Sequence, residues 1–179
     1  MSHAVASLGY TPMKLRPLGV ETGPTAFVED AVQALGQELN DMAVTEPRLG
    51  CGAAIVIDGR ILLIKRLTNP EAGCWGLPGG KVDLYETAAA AAEREIKEEL
   101  GIGIEANRLL CLVDQIDRGA GQHWFAPVYL VTAFTGAPVI TEPNKHGGLE
   151  WFPLDTVPEA LTYPTVVALR ALREEPATS

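Results

Sequence analysis

Three glutamates stand close together in one short stretch of the chain, residues 94–102. Glu95 precedes Glu98 by three residues and Glu99 by four, and these spacings place all three side chains on one face of a helix. Carboxylates arranged in this way repel one another and weaken an isolated helix by roughly 0.2–0.5 kcal/mol per pair. A hard divalent cation such as Mg²⁺ relieves the repulsion, because it prefers carboxylate oxygens and leaves room for substrate phosphates. The stretch therefore predicts a metal-binding helix face.

The residues around these glutamates resemble the signature of the Nudix hydrolases at every defined position. That signature is a glycine, five residues, a glutamate, seven residues and then Arg-Glu-apolar-x-Glu-Glu-x-Gly-apolar. Here the glycine is Gly80, the first glutamate is Glu86 and the closing run is residues 94–102. A chance match of the seven fixed residue types has odds of about 10⁻⁸ per window. A merely solvated charged helix face, which is the usual meaning of such a run, would not also require Gly80 and Gly101 at fixed positions.

The resemblance implies metal-assisted hydrolysis of a phosphoanhydride at this helix. Glu95, Glu98 and Glu99 would bind divalent ions, Mg²⁺ or Mn²⁺, which lower the pKa of a coordinated water and align it for attack on phosphorus. Glu142, which is followed by Pro143, is similar to a loop glutamate of the mutator-type nucleoside triphosphate hydrolases that reaches the metals or positions the attacking water; the alternative is a solvated loop residue. Glu95 or Glu142 would accept the proton. The candidate catalytic residues are therefore Glu95, Glu98 and Glu142.

Four further positions are expected to shape the site rather than to react. Arg94 and Glu86 would form an ion pair that fixes the helix to the preceding loop, since a planar guanidinium pairs with a carboxylate through two hydrogen bonds. Gly79 and Gly80 bring the backbone close to the site, and the resemblance implies that a carbonyl of this pair completes the metal shell. We assign that carbonyl to Gly79 and a supporting role to Gly80; the alternative is a simple tight turn.

Candidate substrate contacts lie in other segments of the chain. Arg66 and Lys81 are expected to meet phosphate oxygens, with an ordinary surface cation as the alternative for each. By resemblance to the nucleoside triphosphate branch of the family, a residue just before Pro164 reads or stacks on the base. Tyr163 would stack and Thr162 would hydrogen-bond. The alternative is that this segment merely begins a helix, with Pro164 in its first turn.

The likeness to that branch implies an enzyme that cleaves a nucleoside triphosphate, modified and deoxy forms included, to a monophosphate and pyrophosphate. Residues 116–119, which follow the signature, contain neither the proline typical of ADP-ribose hydrolases nor the tyrosine of dinucleoside polyphosphate hydrolases. Two alternatives stay open. A hydrolase of nucleoside diphosphate derivatives, such as ADP-ribose or sugar nucleotides, would keep every metal residue and differ only in its pocket. A non-catalytic regulator would bind a nucleotide without hydrolysing it, but such proteins usually lose signature glutamates, and this chain retains them all.

Composition limits the other classes of function. The 179 residues are 47% hydrophobic with a mean hydropathy of +0.11, which excludes general disorder, and no apolar run is long enough to predict a membrane span. The net charge of −9 argues against binding to nucleic acid and means that a polyphosphate needs cations to approach. The N-terminus lacks a secretory pattern, and three widely spaced cysteines suit a reducing compartment. We therefore expect a cytoplasmic protein that binds a small nucleotide.

The order of elements predicts an α/β fold, a Nudix-type α/β/α sandwich with a mixed sheet between helices. Residues 1–47 form an N-terminal extension with an amphipathic helix over 25–42, which could cover the core or a second subunit, so a homodimer is one expectation. Residues 48–175 form the Nudix domain and 176–179 the tail. The domain is predicted to contain strands over 51–57 and 61–65 joined by an Asp58-Gly59 hairpin turn, a helix over 86–100, strands over 108–117, 123–135 and 150–152, and a helix over 158–173.

Overall fold

The computed structural model describes residues 46–174, which contain seven β-strands and two α-helices. The amphipathic helix predicted over residues 25–42 and the tail 176–179 lie outside the described residues. In chain order the elements are β1 Arg48–Leu49, β2 Gly52–Ile57, β3 Arg60–Arg66, β4 Trp75–Gly76, α1 Ala88–Leu100, β5 Leu109–Asp117, β6 Gln122–Val131, β7 His146–Pro153 and α2 Tyr163–Glu174. Neither helix of this described part is long and apolar enough to cross a membrane.

The strands join in one mixed sheet. β6 pairs in parallel with β1 and β2 and antiparallel with β5, while β3 pairs antiparallel with β2, β4 and β7. The connection between β2 and β3 is the predicted hairpin. Asp58 and Gly59 have φ angles of 48° and 72°, as the two central residues of a type I′ turn require.

Alternating side chains of β2 and β3 build a core on each side of the sheet. The core beside α1 consists of Ala53, Ile55, Leu62, Ile64, Ile96, Leu100, Ile102 and Val131. The core beside α2 consists of Ala54, Ile61, Leu63, Val113, Val128, Ala168 and Leu169. Successive residues of one strand therefore face different helices, and the predicted sandwich of helix, mixed sheet and helix is confirmed.

Helix α1 begins and ends at residues suited to helix termini. Thr87 is the N-cap, and its side-chain oxygen accepts a hydrogen bond from the Ala90 N–H at 3.2 Å. Gly101 ends the helix with a φ of 70°, and its N–H donates to the Lys97 carbonyl. The helix is anchored by one buried apolar stripe, formed by Ala91, Ala92, Ile96 and Leu100. This stripe fixes the rotation of α1 and with it the direction of the acidic face.

Several bounds differ from the sequence-based expectations because of pairing with distant residues. The short strand β4 was not predicted, and its Trp75 N–H donates to the Ala160 carbonyl at 2.8 Å. The Thr162 N–H in turn donates to the Trp75 carbonyl at 2.9 Å. Residues 160–162 are therefore extended, and α2 begins at Tyr163 rather than near 158. β7 is longer than predicted because it pairs along the whole of β3, and β6 ends at Val131 rather than near 135.

Candidate active site

Arg94 organises the first part of the acidic face of α1. Its Nε and Nη2 donate to Oε1 and Oε2 of Glu86 at 3.0 and 2.9 Å, which is the two-pronged geometry of a guanidinium with a carboxylate. Nη1 donates to Glu95 Oε1 at 2.8 Å and to Glu98 Oε2 at 3.2 Å. Nη2 also donates to the Lys81 carbonyl at 3.0 Å. One guanidinium therefore donates hydrogen bonds to three carboxylates and lies 3.8 Å from a fourth, that of Asp83. These contacts tie α1 to the loop that precedes it.

The members of this Arg94 cluster have pKa values shifted in opposite directions. Hydrogen bonding from Arg94 lowers the pKa of Glu86, and the bonds to Glu86 and Glu95 raise the pKa of Arg94. Burial raises the pKa of Glu95; the charges of Glu99 and Glu98 add to the increase, and Arg94 opposes it. Glu95 is therefore better disposed than Glu86 to accept a proton.

The backbone at Gly79 and Gly80 passes too close to other groups to carry side chains. A Cβ on Gly80 would lie 2.3 Å from the carboxyl group of Glu95. A Cβ on Gly79, whose φ is 144°, would lie 2.3 Å from the Cys51 carbonyl oxygen. The Cys51 N–H donates to the Gly80 carbonyl at 2.8 Å, and burial raises the pKa of the Cys51 thiol to about 11. The glycine pair therefore lies between the uncharged Cys51, which precedes β2, and the carboxylate of Glu95 on α1.

Glu99 points into a separate, buried part of the site. Its side chain is 7% exposed, against 56% for Glu98. Oε2 of Glu99 accepts a hydrogen bond from the Gly79 N–H at 2.8 Å, and Oε1 lies 3.1 Å from Nε2 of His146. Glu99 therefore connects α1 to the glycine pair and to the start of β7.

The loop between β6 and β7 is held on the C-terminal end of α1. The N–H of Thr141 donates to the Glu99 carbonyl at 3.0 Å, and its hydroxyl donates to the Glu98 carbonyl. The Val139 N–H donates at 3.0 Å to the carbonyl of the last helical residue. The last four carbonyls of a helix have no partner within it, so this loop satisfies the helix end. The same contacts bring Glu142 next to Glu99.

A single turn then places Glu142 and His146 on the same side of the chain. The N–H groups of Lys145 and His146 donate to the Glu142 carbonyl at 3.0 and 3.1 Å. As a result, a carboxylate oxygen of Glu99, one of Glu142 and a ring nitrogen of His146 all lie within 4.8 Å of one another. Lys145 Nζ donates to Glu142 Oε1 at 2.7 Å, and this bond is the main reason that the pKa of Lys145 is raised.

These three residues, here called the Glu-Glu-His group, have the composition of a cation site. Carboxylate oxygens suit a hard divalent ion, and imidazole nitrogen suits a transition metal. Both ring nitrogens of His146 are buried, and among the described residues neither has a hydrogen-bond partner. The 3.1 Å contact with Glu99 is therefore close without being aligned as a hydrogen bond. The residues present fit the divalent cation that the sequence predicts.

A cavity of about 290 Å³ opens beside the glycine pair. Its lining includes Arg66, Lys81 and Thr162, three of the four predicted substrate contacts. The Thr162 hydroxyl lies 2.8 Å from that of Thr165 and forms part of the buried wall. Tyr163, which is 45% exposed, is outside the lining formed by residues 46–174.

The same cavity reaches from the glycine pair to the exposed end of β5 and β6. Gly79 and Gly80 form one wall, and Trp124, Gln115 and Asp117 lie along another. An indole face, an amide and a carboxylate are groups that can hold a heterocyclic base, while Gly79 and Gly80 also touch Glu99 and Glu95. The cavity and the acidic residues therefore share one stretch of backbone.

The structure divides the predicted catalytic and metal-binding glutamates into two sets. Glu95 and Glu98 contact Arg94, whereas Glu99 and Glu142 come together with His146. Sequence reasoning missed His146 as a site residue. The signal was its spacing of four residues from Glu142, which places both side chains on one side if the segment forms a helical turn.

Comparison with known proteins decides the family. The NUDIX domain matches residues 47–175. The chain belongs to the NUDIX family. Its resemblance to the Nudix signature at Gly80, Glu86 and residues 94–102 is thereby confirmed as family membership.

The NUDIX chain is similar to proteins with several described activities. It is 60% identical to a MutT NUDIX hydrolase from Burkholderia pseudomallei, with a TM-score of 0.70 over 71% of this chain and 98% of that one. It is 35% identical over 113 residues to the ADP-ribose pyrophosphatase of Methanocaldococcus jannaschii, covering 63% of this chain and 66% of that protein. It is 30% identical over 106 residues to the human 8-oxo-dGDP phosphatase NUDT18, covering 56% of this chain and 30% of that protein. The chain thus spans less than two thirds of the length of these two curated relatives.

Proposed function

We propose that this NUDIX protein is a metal-dependent pyrophosphohydrolase that cleaves a nucleoside triphosphate, modified and deoxy forms included, to a monophosphate and pyrophosphate. The observation that carries the proposal is the shared backbone at Gly79 and Gly80. The acidic residues of α1 contact this backbone from one side, and a cavity opens beside it. The lining of the cavity includes the cations Arg66 and Lys81. A negatively charged substrate can therefore place its base in the cavity and its phosphates at the carboxylates.

The acidic residues hold the cation and the water in this proposal. Glu95, Glu98, Glu99 and the Gly79 carbonyl are the proposed ligands for Mg²⁺ or Mn²⁺, with Gly80, Glu86 and Arg94 as their support. A bound divalent ion would supply neutralisation of phosphate oxygens and a lower pKa for the attacking water. Arg94 keeps the carboxylates of Glu95 and Glu98 in place through its Nη1.

A carboxylate that has a raised pKa and lies close to the substrate phosphates is suited to accept the proton of the attacking water. Glu95 meets the first condition, because burial raises its pKa. Glu142 is the other candidate, since it lies within 4.8 Å of Glu99 on a loop that faces α1. Lys145, which donates to Glu142 Oε1, holds that side chain in its position.

The substrate would be bound mainly through its phosphates and one face of its base. Arg66 and Lys81 are proposed to contact phosphate oxygens, as cations do in other phosphate sites. Thr162 is proposed to border the base, and Tyr163 to stack at the rim beside Pro164, which is part of the lining. Trp124 offers a second aromatic face inside the cavity.

A hydrolase of nucleoside diphosphate derivatives is the second candidate. It is favoured by the 35% identity to a protein described as an ADP-ribose pyrophosphatase. Both candidates use the same carboxylates, so they differ in what the cavity accepts beyond the phosphates. A regulator that binds a nucleotide without hydrolysing it is the least supported alternative, because every glutamate of the signature is present.

A substrate panel tests the proposal. Nucleoside triphosphates, their oxidised and deoxy forms, ADP-ribose and sugar nucleotides are incubated with Mg²⁺ or Mn²⁺, and the products are separated by ion exchange. We expect monophosphate and pyrophosphate from at least one triphosphate, with the highest kcat/KM of the panel. Glu98→Gln should abolish this turnover, while Glu105→Gln, an exposed glutamate outside the site, should retain it. A higher kcat/KM for a diphosphate derivative would favour the second candidate, and nucleotide binding without turnover would favour the regulator.

A further inference from the structure

His146 is a buried histidine whose ring has no hydrogen bond within residues 46–174. Its side chain is 4% exposed, and Nδ1 and Nε2 are both buried without a hydrogen-bond partner among the described residues. A neutral imidazole has one donor and one acceptor, and an imidazolium has two donors. Burial without partners therefore costs free energy in either form. A ligand that contacts Nε2 would remove part of that cost.

The distance between His146 Nε2 and Glu99 Oε1 matches the distance between two neighbouring ligand atoms of a metal ion. Nε2 lies 3.1 Å from Glu99 Oε1, and an oxygen of Glu142 is within 4.8 Å of both atoms. In an octahedral shell with bonds of about 2.1 Å, neighbouring ligand atoms are about 3.0 Å apart. Two atoms of the Glu-Glu-His group therefore already stand at the separation that a shared ion imposes.

The other oxygens of the group are held in ways that leave room for an ion. Glu99 Oε2 accepts the hydrogen bond from the Gly79 N–H, which leaves Oε1 directed at His146. Glu142 Oε1 accepts the bond from Lys145 Nζ, which leaves the second oxygen of that carboxylate. A buried carboxylate beside a second one is also where a cation relieves most repulsion.

We propose that His146 is a nitrogen ligand of a divalent cation held by Glu99 and Glu142, and that this chain therefore prefers first-row transition ions such as Mn²⁺ or Co²⁺ to Mg²⁺. The proposal deepens the proposed function, on which it rests for the role of the ion in hydrolysis. Its basis is the chemistry of the donors: an all-oxygen site suits Mg²⁺, whereas an imidazole nitrogen raises affinity for transition ions. The rival explanation is an imidazolium that pairs with Glu99 and excludes a cation from Nε2.

Pulsed EPR of the Mn²⁺-loaded 179-residue chain tests the contact directly. Electron spin echo modulation reports ¹⁴N nuclei bonded to Mn²⁺, and we expect an imidazole coupling in the wild type. The chain has three histidines, so the double variant His3→Gln, His123→Gln retains His146 as its one imidazole and should keep the coupling. His146→Gln should lose it. Absence of the coupling in the double variant, or absence of saturable Mn²⁺ binding, would overturn the proposal even if His146→Gln does not fold.

Affinity measurements test the preference between ions. Mn²⁺ and Co²⁺ dissociation constants should rise about tenfold in His146→Gln, and the Mg²⁺ constant should rise much less. His123→Gln, whose Nε2 lies 2.7 Å from Asp114 Oδ1, is the matched control and should leave all three constants unchanged. Equal losses for Mg²⁺ and Mn²⁺ would contradict the preference.

These readouts separate the ligand assignment from the proposed function. Imidazole coupling in a protein that hydrolyses no phosphoanhydride would leave the ligand assignment standing and refute the proposed function. Hydrolysis of a nucleoside triphosphate without any imidazole coupling would do the reverse.

Discussion

The two parts of the acidic face of α1 balance their charges in different ways. In the Arg94 cluster, one guanidinium reaches Glu86, Glu95 and Glu98 at distances of 2.8 to 3.2 Å. In the Glu-Glu-His group, the buried Glu99 faces a second carboxylate and an imidazole. A guanidinium is always charged, so the protein itself compensates one of the three negative charges of the first part. Within residues 46–174 no such permanent charge pairs with Glu99, and a ligand would complete the second part.

This difference separates residues that support the site from residues that are proposed to bind its ligand. Glu86 is bound to Arg94 and is proposed to support the site, so its substitution should change stability first. Arg94 also holds Glu95 and Glu98 where they are proposed to bind the cation. The Glu-Glu-His group is the proposed binding part, so we expect its substitution to change affinity and turnover first. The following substitutions test that division, from the largest expected effect to the smallest.

Of the three changes that follow, removing the charge of Glu99 should have the largest effect. In Glu99→Gln the amide oxygen can still accept the hydrogen bond from Gly79, but the group loses one of its two carboxylates. We expect kcat/KM to fall at least about 100-fold and Mn²⁺ binding to weaken in parallel, as measured by initial rates and EPR titration. Glu105→Gln, whose Oε2 accepts a 3.5 Å hydrogen bond from Asn107 outside the site, should change neither. Full activity in Glu99→Gln would contradict the assignment of the binding part.

Displacing Glu95 without changing it should have the next largest effect. In Gly80→Ala the new Cβ would lie 2.3 Å from the Glu95 carboxyl, so that carboxyl must move by about 1 Å. A misplacement of this size lowers kcat by up to about 100-fold, and a steady-state assay measures it. In Gly59→Ala, the control in the turn between β2 and β3, the new Cβ has no described atom within 4 Å, so kcat should be unchanged. Unchanged kcat in Gly80→Ala would show that the position of Glu95 is not critical.

Weakening the ion pair between Glu86 and Arg94 should lower the stability of the fold more than it weakens cation binding. Arg94 lowers the pKa of Glu86, so this pair contributes stability above the ordinary glutamate pKa of about 4.3. That contribution is lost as the pH falls through the lowered pKa. Thermal unfolding should therefore show Glu86→Gln less stable than the wild type at neutral pH, with the difference shrinking towards pH 3. A difference that grows on acidification would contradict the role of the pair.

Local sequence patterns predicted the elements that carry the site. The spacing of Glu95, Glu98 and Glu99 indicates a common helix face because helical periodicity is a local property. The Asp58-Gly59 turn and Gly101 as the helix end are local for the same reason. These features could be recognised before any tertiary contact was known.

The division of the acidic face could not be predicted from local patterns. It depends on where a distant loop lies: the Thr141 hydroxyl bonds to the carbonyl of Glu98, a residue 43 positions earlier. That contact places Glu142 and His146 beside Glu99, whereas the carboxylate of Glu98 is bound to Arg94. The start of α2 at Tyr163 has a similar cause, since residues 160–162 pair with Trp75.

The way this loop is fastened also determines which lengths of it the protein can tolerate. Thr135 pairs with Gly103 and Val139 is bonded to the end of α1, so residues 136–138 form a span in which an insertion need not disturb either attachment. One residue added between Glu142 and His146 would instead turn the imidazole by about 100° relative to the carboxylate. A protein engineer who transplants this site into another scaffold should move residues 139–146 together with the last turn of the helix.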